Sequence, residues 1–126
     1  MVAAVALGAA AAPAADRRAP DRQALRVRLR DVAADAGVRF IRHIGSTSGK
    51  FYADSVPGGL AVFDYNGDGR PDIFFTDGAE LPSLKKQLPE HANRLYRNEG
   101  NMRFTDATDA AGVAGVGYAM GAAAAD

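Results

Sequence analysis

The sequence has no cysteine and no tryptophan. Without thiols there is no disulfide scaffold, no thiolate metal site and no Cys nucleophile. Aromatic residues make up only 8%, and alanine is the commonest residue, so any core is modest. Charge of one sign is also lacking: 15 basic side chains balance 15 acidic ones. No global field therefore draws the chain to nucleic acid or to an acidic membrane. Long hydrophobic runs are missing too. The longest, within 1–15, is apolar for about a dozen residues, too short to cross roughly 30 Å of hydrocarbon. At 126 residues the chain has room for one domain or less.

What is present begins with that apolar leader. Met-Val-Ala-Ala-Val-Ala-Leu-Gly and an Ala run suit the apolar core of a secretory signal, and Ala12-Pro13-Ala14 supplies a small-x-small cleavage pattern. The basic segment that should precede it is missing, so residues 1–15 are read as a partial signal peptide. A secreted or periplasmic chain is expected, and a fragment or a misplaced start with it. Residues 16–24 are polar, with three Arg and Pro20, and read as a linker. The remainder, 25–126, is read as the folded region.

Leu25, Val27 and Leu29 alternate with Arg26, Arg28 and Arg30, the period of a strand with one wet face. Asp31 to Gly37 suggests one helical turn closed by Gly37. Val38, Phe40 and Ile44 interleave with Arg39 and Arg42, again more strand than helix. Basic residues on a solvated strand explain this arginine-rich stretch. It lacks the stacking aromatics and Lys clusters of a nucleic-acid site.

The informative run is Gly58 to Asp77. Asp64, Asn66, Asp68 and Asp72 stand at positions 1, 3, 5 and 9 of a loop. Alternate spacing in a curled backbone turns successive oxygens toward one centre, and Gly67 and Gly69 permit the curl. A hard cation takes six to eight oxygens at about 2.3–2.6 Å, with carbonyls and water completing the set. The Arg70 carbonyl, at position 7, is the natural backbone donor. With no His or Cys nearby, Ca²⁺ fits better than Zn²⁺. Position 12 is Phe75, where an EF-hand needs a bidentate Glu. The flanks, Leu60–Phe63 and Ile73–Thr76, are β-rich, so the loop joins two strands. The plainer alternative is a metal-free Asx-rich turn, since Asn-Gly and Asp-Gly form turns unaided.

The sequence also repeats. Asp31-Val-Ala-Ala-Asp-Ala-Gly-Val38 recurs as Asp106-Ala-Thr-Asp-Ala-Ala-Gly-Val113, and Gly59 to Asp64 is echoed by Gly121 to Asp126. Between the copies, Asn93–Asn98 and Met102–Thr105 read as strands joined by a turn at Glu99-Gly100-Asn101. Leu84–Leu88 reads as a surface loop or one helical turn. Convergent catalytic groups are scarce. The two histidines, His43 and His91, are far apart in sequence without ligand or dyad spacing. Gly45-Ser-Thr-Ser-Gly49 has Thr47 where a nucleophile elbow needs Ser. No enzyme is expected.

Taken together, the Asp-Ala-Gly-Val phrase, Gly-Gly-x-Ala-x-Phe-Asp-Tyr-Asn-Gly-Asp-Gly-Arg-Pro-Asp-Ile, Asn-Arg-Leu-Tyr-Arg-Asn and Phe-Thr-Asp-Ala-Thr resemble the FG-GAP/VCBS repeat proteins. Within them, the resemblance is to the cartilage-acidic-protein-like group associated with the ASPIC/UnbV domain. It covers about Leu29 to Asp126. It implies an all-β fold of propeller blades, one blade plus the start of a second, with the remaining blades missing from this chain. It implies a Ca²⁺ loop between the first two strands of the blade, with Asp64, Asn66, Asp68 and Asp72 as ligands and Arg70 through its carbonyl. The expected role is extracellular binding or adhesion, with a protein or glycan partner. A scaffold for an enzyme whose active residues lie beyond Asp126, or a purely structural repeat, are the alternatives. The Phe-Gly and Gly-Ala-Pro phrases of the repeat are absent.

Overall fold

A computed structural model of the chain describes residues 28–45, 48–49, 51–56, 58–87 and 89–125. The expected signal segment and linker, Leu25 and Val27 of the first alternating run, Thr47 and Asp126 lie outside the described residues. From Asp31 onward the chain forms one compact unit.

Its centre is a four-stranded antiparallel meander, β1 (Leu60–Phe63), β2 (Asp72–Phe75), β3 (Arg94–Gly100) and β4 (Arg103–Asp106), in that order across the sheet. This is the expected all-β arrangement, consistent with one blade of a propeller. β1 and β2 flank the acidic loop and pair Phe63 with Asp72 and Leu60 with Phe75. The loop is therefore a hairpin connection, as its β-rich flanks predict, and the flanking helices of an EF-hand are not there.

One sheet face carries Ala61, Phe74 and Leu95, opposite one another in register. Leu95 is 2% exposed; its N–H donates to Thr108 Oγ1 and its carbonyl accepts from Ala107. That ties down the short helix α1 (Thr108–Ala111). On the other face Phe40 stacks on Phe75 at 4.6 Å, and Phe75 meets Tyr96 edge-on. Leu60 and Val62 share this face and remain more than half exposed. Among the described residues the buried apolar set is mostly alanine, with Leu81, Leu95 and Tyr96 its only large members, so the core is as modest as the composition implies. Each fully buried Leu contributes only about 1.5–3 kcal/mol.

The repeated phrase folds the same way twice. In the first copy Ala36 N–H donates to Val32 O, Gly37 N–H to Ala34 O and Val38 N–H to Ala33 O. In the second, Ala111 donates to Ala107, Gly112 to Asp109 and Val113 to Thr108. Asp31 and Asp106 each accept the N–H two residues on, and Gly37 and Gly112 both close the turn at positive φ. Each bond recurs 75 residues later, as 106 − 31. Ala and Gly bias alone does not produce that.

Two expectations need correction. Arg28–Arg30 and Val38–Ile44 are not strands. In the second segment the N–H groups of Arg39 and His43 go to side chains, Tyr96 Oη and Asp77 Oδ1, so it runs as a strap outside the ladder. The β3–β4 turn sits one residue later than expected, at Asn101-Met102, both at positive φ as a type I′ turn demands. Gly100 instead serves the irregularity between Asn98 and Gly100. Of the two readings of Leu84–Leu88, the surface loop is the one seen over Leu84–Gln87, with Lys85 bridged to Glu80 and Gly117.

Candidate functional site

The β1–β2 loop curls because its acidic side chains capture its own backbone. Asp64 Oδ1 accepts N–H from Gly67 and Asp68, and Oδ2 accepts from Gly69. Gly67 and Gly69 lie at φ 74° and 78°, a region other L-residues enter at a cost. Asn66 Oδ1 accepts the Asp68 N–H, while its amide donates to Asp68 Oδ2 at 2.8 Å. Asp68 Oδ1 takes the Arg70 N–H. The Arg70 guanidinium reaches Asp68 Oδ2 at 2.6 Å and Asn98 O at 2.8 Å. The Asn66 amide first, then the Arg70 N–H and positive charge, hold the Asp68 carboxyl below its ordinary pKa, against some desolvation.

Asp72 differs from the others. It opens β2, is fully buried, and accepts Tyr65 N–H at 3.0 Å and Asn98 N–H at 2.7 Å. It ties the loop, at Tyr65, to β3, at Asn98. Asp64, Asn66 and Asp68 are exposed at the tip. Among the described residues no three His, Asp or Glu side chains are gathered into a ready cage.

The donor set nevertheless fits a hard cation. A carboxylate has about four lone-pair sites. Asp64 and Asp68 use three each and Asp72 two, and every donor is oxygen, the preference of Ca²⁺. For Asp68 to face an ion, the Asn66 amide and the Arg70 guanidinium must let go of Oδ2.

A second constellation was missed in the sequence. Asp77, also fully buried, accepts N–H from His43 and Gly78 on Oδ1 and faces His43 Nδ1 at 3.0 Å on Oδ2. The His91 ring lies 5.1 Å from that of His43, centre to centre. The histidines, far apart in sequence, thus meet in space, contrary to expectation. Below them Lys86 Nζ donates to the carbonyls of Asp77, Gly78 and His91 and to Asn93 Oδ1, at 2.6–3.0 Å. Burial lowers the Lys86 pKa, with the Asp77 charge opposing. The only sequence signal was Asp77 itself, an acid closing a β-rich run. No helix among the described residues is long and apolar enough to cross a membrane.

Comparison with known proteins agrees with the hairpin and the repeat. No curated protein and no solved structure matches the chain. The FG-GAP-like repeat matches residues 64–126, half of the chain, starting at the first acidic position of the loop and running through all of β2, β3, β4 and α1. With the four-stranded meander and the twice-folded Asp-Ala-Gly-Val phrase, this places the chain in the FG-GAP-like repeat family.

Proposed function

We propose that the chain is a calcium-binding segment of an extracellular β-propeller, used for binding or adhesion to a protein or glycan and carrying no catalytic step of its own. The observation behind the proposal is the β1–β2 loop, with oxygen side chains at alternate positions of a tight hairpin connection. Asp64, Asn66, Asp68 and Asp72 hold Ca²⁺, with the Arg70 carbonyl as backbone donor, and the ion neutralises carboxylates that otherwise repel one another. Its contribution is stability. The apolar leader supports export, to the secreted or periplasmic space. The phrases around the loop support membership of the cartilage-acidic-protein-like, ASPIC/UnbV-associated group.

Extracellular calcium modules have Kd values of about 10⁻⁴–10⁻³ M, so millimolar Ca²⁺ adds roughly 1 kcal/mol through preferential binding to the folded form. Calorimetric titration of the chain with CaCl₂, alongside hydrogen exchange of the loop amides, tests this. Wild type should release binding heat and gain loop protection, and Asp68→Ala should lose most of both. Absence of heat and of protection at about 10 mM Ca²⁺, well above that Kd range, would show that the loop is only a turn.

A further inference from the structure

The chain contains two histidines, and the fold brings both to one open groove, lined by Arg42, His43, Ile44, Glu80, Leu81 and His91. They come from segments 48 residues apart, 91 − 43. The arrangement around them is more specific than proximity.

His43 Nδ1 faces Asp77 Oδ2 at 3.0 Å, and the same carboxylate grips the His43 backbone N–H at 2.7 Å. A carboxylate oxygen accepts, so Nδ1 is the donor nitrogen and Nε2 is the atom left to face a cation. Asp77 has no exposed surface, while the His43 side chain is 39% exposed, so the carboxylate is fixed and the imidazole reaches solvent. Metal-ligating histidines almost always donate their other ring N–H to a carboxylate, a backbone carbonyl or water, and here a buried carboxylate takes that place. His91 is held by its backbone: its N–H donates to Gln87 O and its carbonyl accepts from Lys86 Nζ. Its Nδ1 receives the Gln87 N–H only at 3.4 Å, the long limit of a hydrogen bond. Either tautomer of that ring is accessible at small cost.

The spacing suits a shared ion. Two imidazoles each bound through one nitrogen at about 2.0–2.1 Å to a tetrahedral ion have ring centres about 5 Å apart. The observed separation is 5.1 Å, with the planes tilted by 48°. We infer that His43 and His91 form a two-histidine site for a borderline divalent cation of the Zn²⁺ class, positioned by Asp77. Asp77 is engaged by His43 Nδ1 and Glu80 by the Gln87 amide, and among the described residues no three such side chains gather into a cage, so water completes the shell. Imidazole donors select Zn²⁺, Cu²⁺ and Ni²⁺ over Ca²⁺ and Mg²⁺. The groove and the acidic loop are therefore chemically distinct, and neither depends on the other.

The test uses the full chain and Zn²⁺ as probe. Histidine ring resonances are followed by NMR during a ZnCl₂ titration, and the binding isotherm is measured by calorimetry with and without excess CaCl₂. Both rings should respond together, saturating at one ion per chain, and CaCl₂ should not compete. His43→Gln and His91→Gln should each weaken binding at least tenfold. Asp77→Asn should weaken it by less. His91→Gln disturbs the packing least and keeps the test readable should the other variants fail to fold. Rings that respond at different Zn²⁺ concentrations, a wild-type isotherm in His91→Gln, or displacement by CaCl₂ would each overturn the assignment.

Discussion

Asp72 should matter more to the ion-free fold than any other carboxylate of the loop. Its two oxygens accept the N–H of Tyr65 and of Asn98, at 3.0 and 2.7 Å, so it joins the loop to β3 without any ion. A hydrogen bond to a charged group contributes about 1.5–3 kcal/mol, and truncation leaves both donors unpaired. Tyr65 and Asn98 are half-buried, so water recovers part of the loss and about 2–4 kcal/mol is expected for Asp72→Ala. Asp68→Ala at the exposed tip should cost less than about 1 kcal/mol without calcium. The measurement is amide hydrogen exchange in EDTA, which reads the two donors individually and needs no global two-state transition. At 1.36 kcal/mol per decade, protection of the Tyr65 and Asn98 amides should fall roughly 30- to 900-fold in Asp72→Ala. If both amides stay within about threefold of wild type, Asp72 is not the pin and the loop is held some other way.

Two further outcomes are expected. Gly37 sits at φ 91°, and a Cβ there would lie 2.5 Å from Phe104 O; Gly37→Ala should cost more than about 1 kcal/mol, measured by urea denaturation, and a neutral result would deny the close approach. Burial raises the Tyr96 pKa, with the Arg39 N–H opposing. The unfolded phenol therefore ionises first, so this part of the stability is intact below about pH 10 and is lost as pH rises through the folded value. An alkaline denaturation midpoint identical in wild type and Tyr96→Phe would contradict it.

Legibility followed sequence distance. The acidic loop could be read because the contacts that curl it, from Asp64, Asn66 and Asp68 to the loop's own backbone, span five residues or fewer: side-chain oxygens at alternate positions, glycines between them, β-rich flanks. The repeated turn was readable for the same reason, its bonds closing within five residues. The sequence did not show that the loop carboxylates are already engaged by backbone N–H groups and by Arg70, because a hydrogen-bonded turn and an ion cage need the same residues. The strap from Val38 to Ile44 failed as a strand because alternation reports a half-wet surface, not a ladder partner. Its anchors, Tyr96 Oη and Asp77, lie far along the chain. The His43–Asp77–His91 group stayed hidden because separations of 34 and 48 residues leave no local spacing to recognise.

The meeting of Ala36 and Phe104 has a consequence for how the molecule behaves among its own copies. β4 is an outer strand of the sheet, and an outer strand with free N–H groups is a template for pairing with another chain. Here the Phe104 N–H is taken at 2.8 Å by the Ala36 carbonyl, from a turn that lies before the whole sheet in sequence. Arg103, Thr105 and Asp106 keep the rest of the strand exposed and polar. The opening turn thus acts as an edge guard. Loosening it uncovers a strand that can recruit a neighbour, so damage at Gly37 should appear as concentration-dependent self-association before it appears as unfolding.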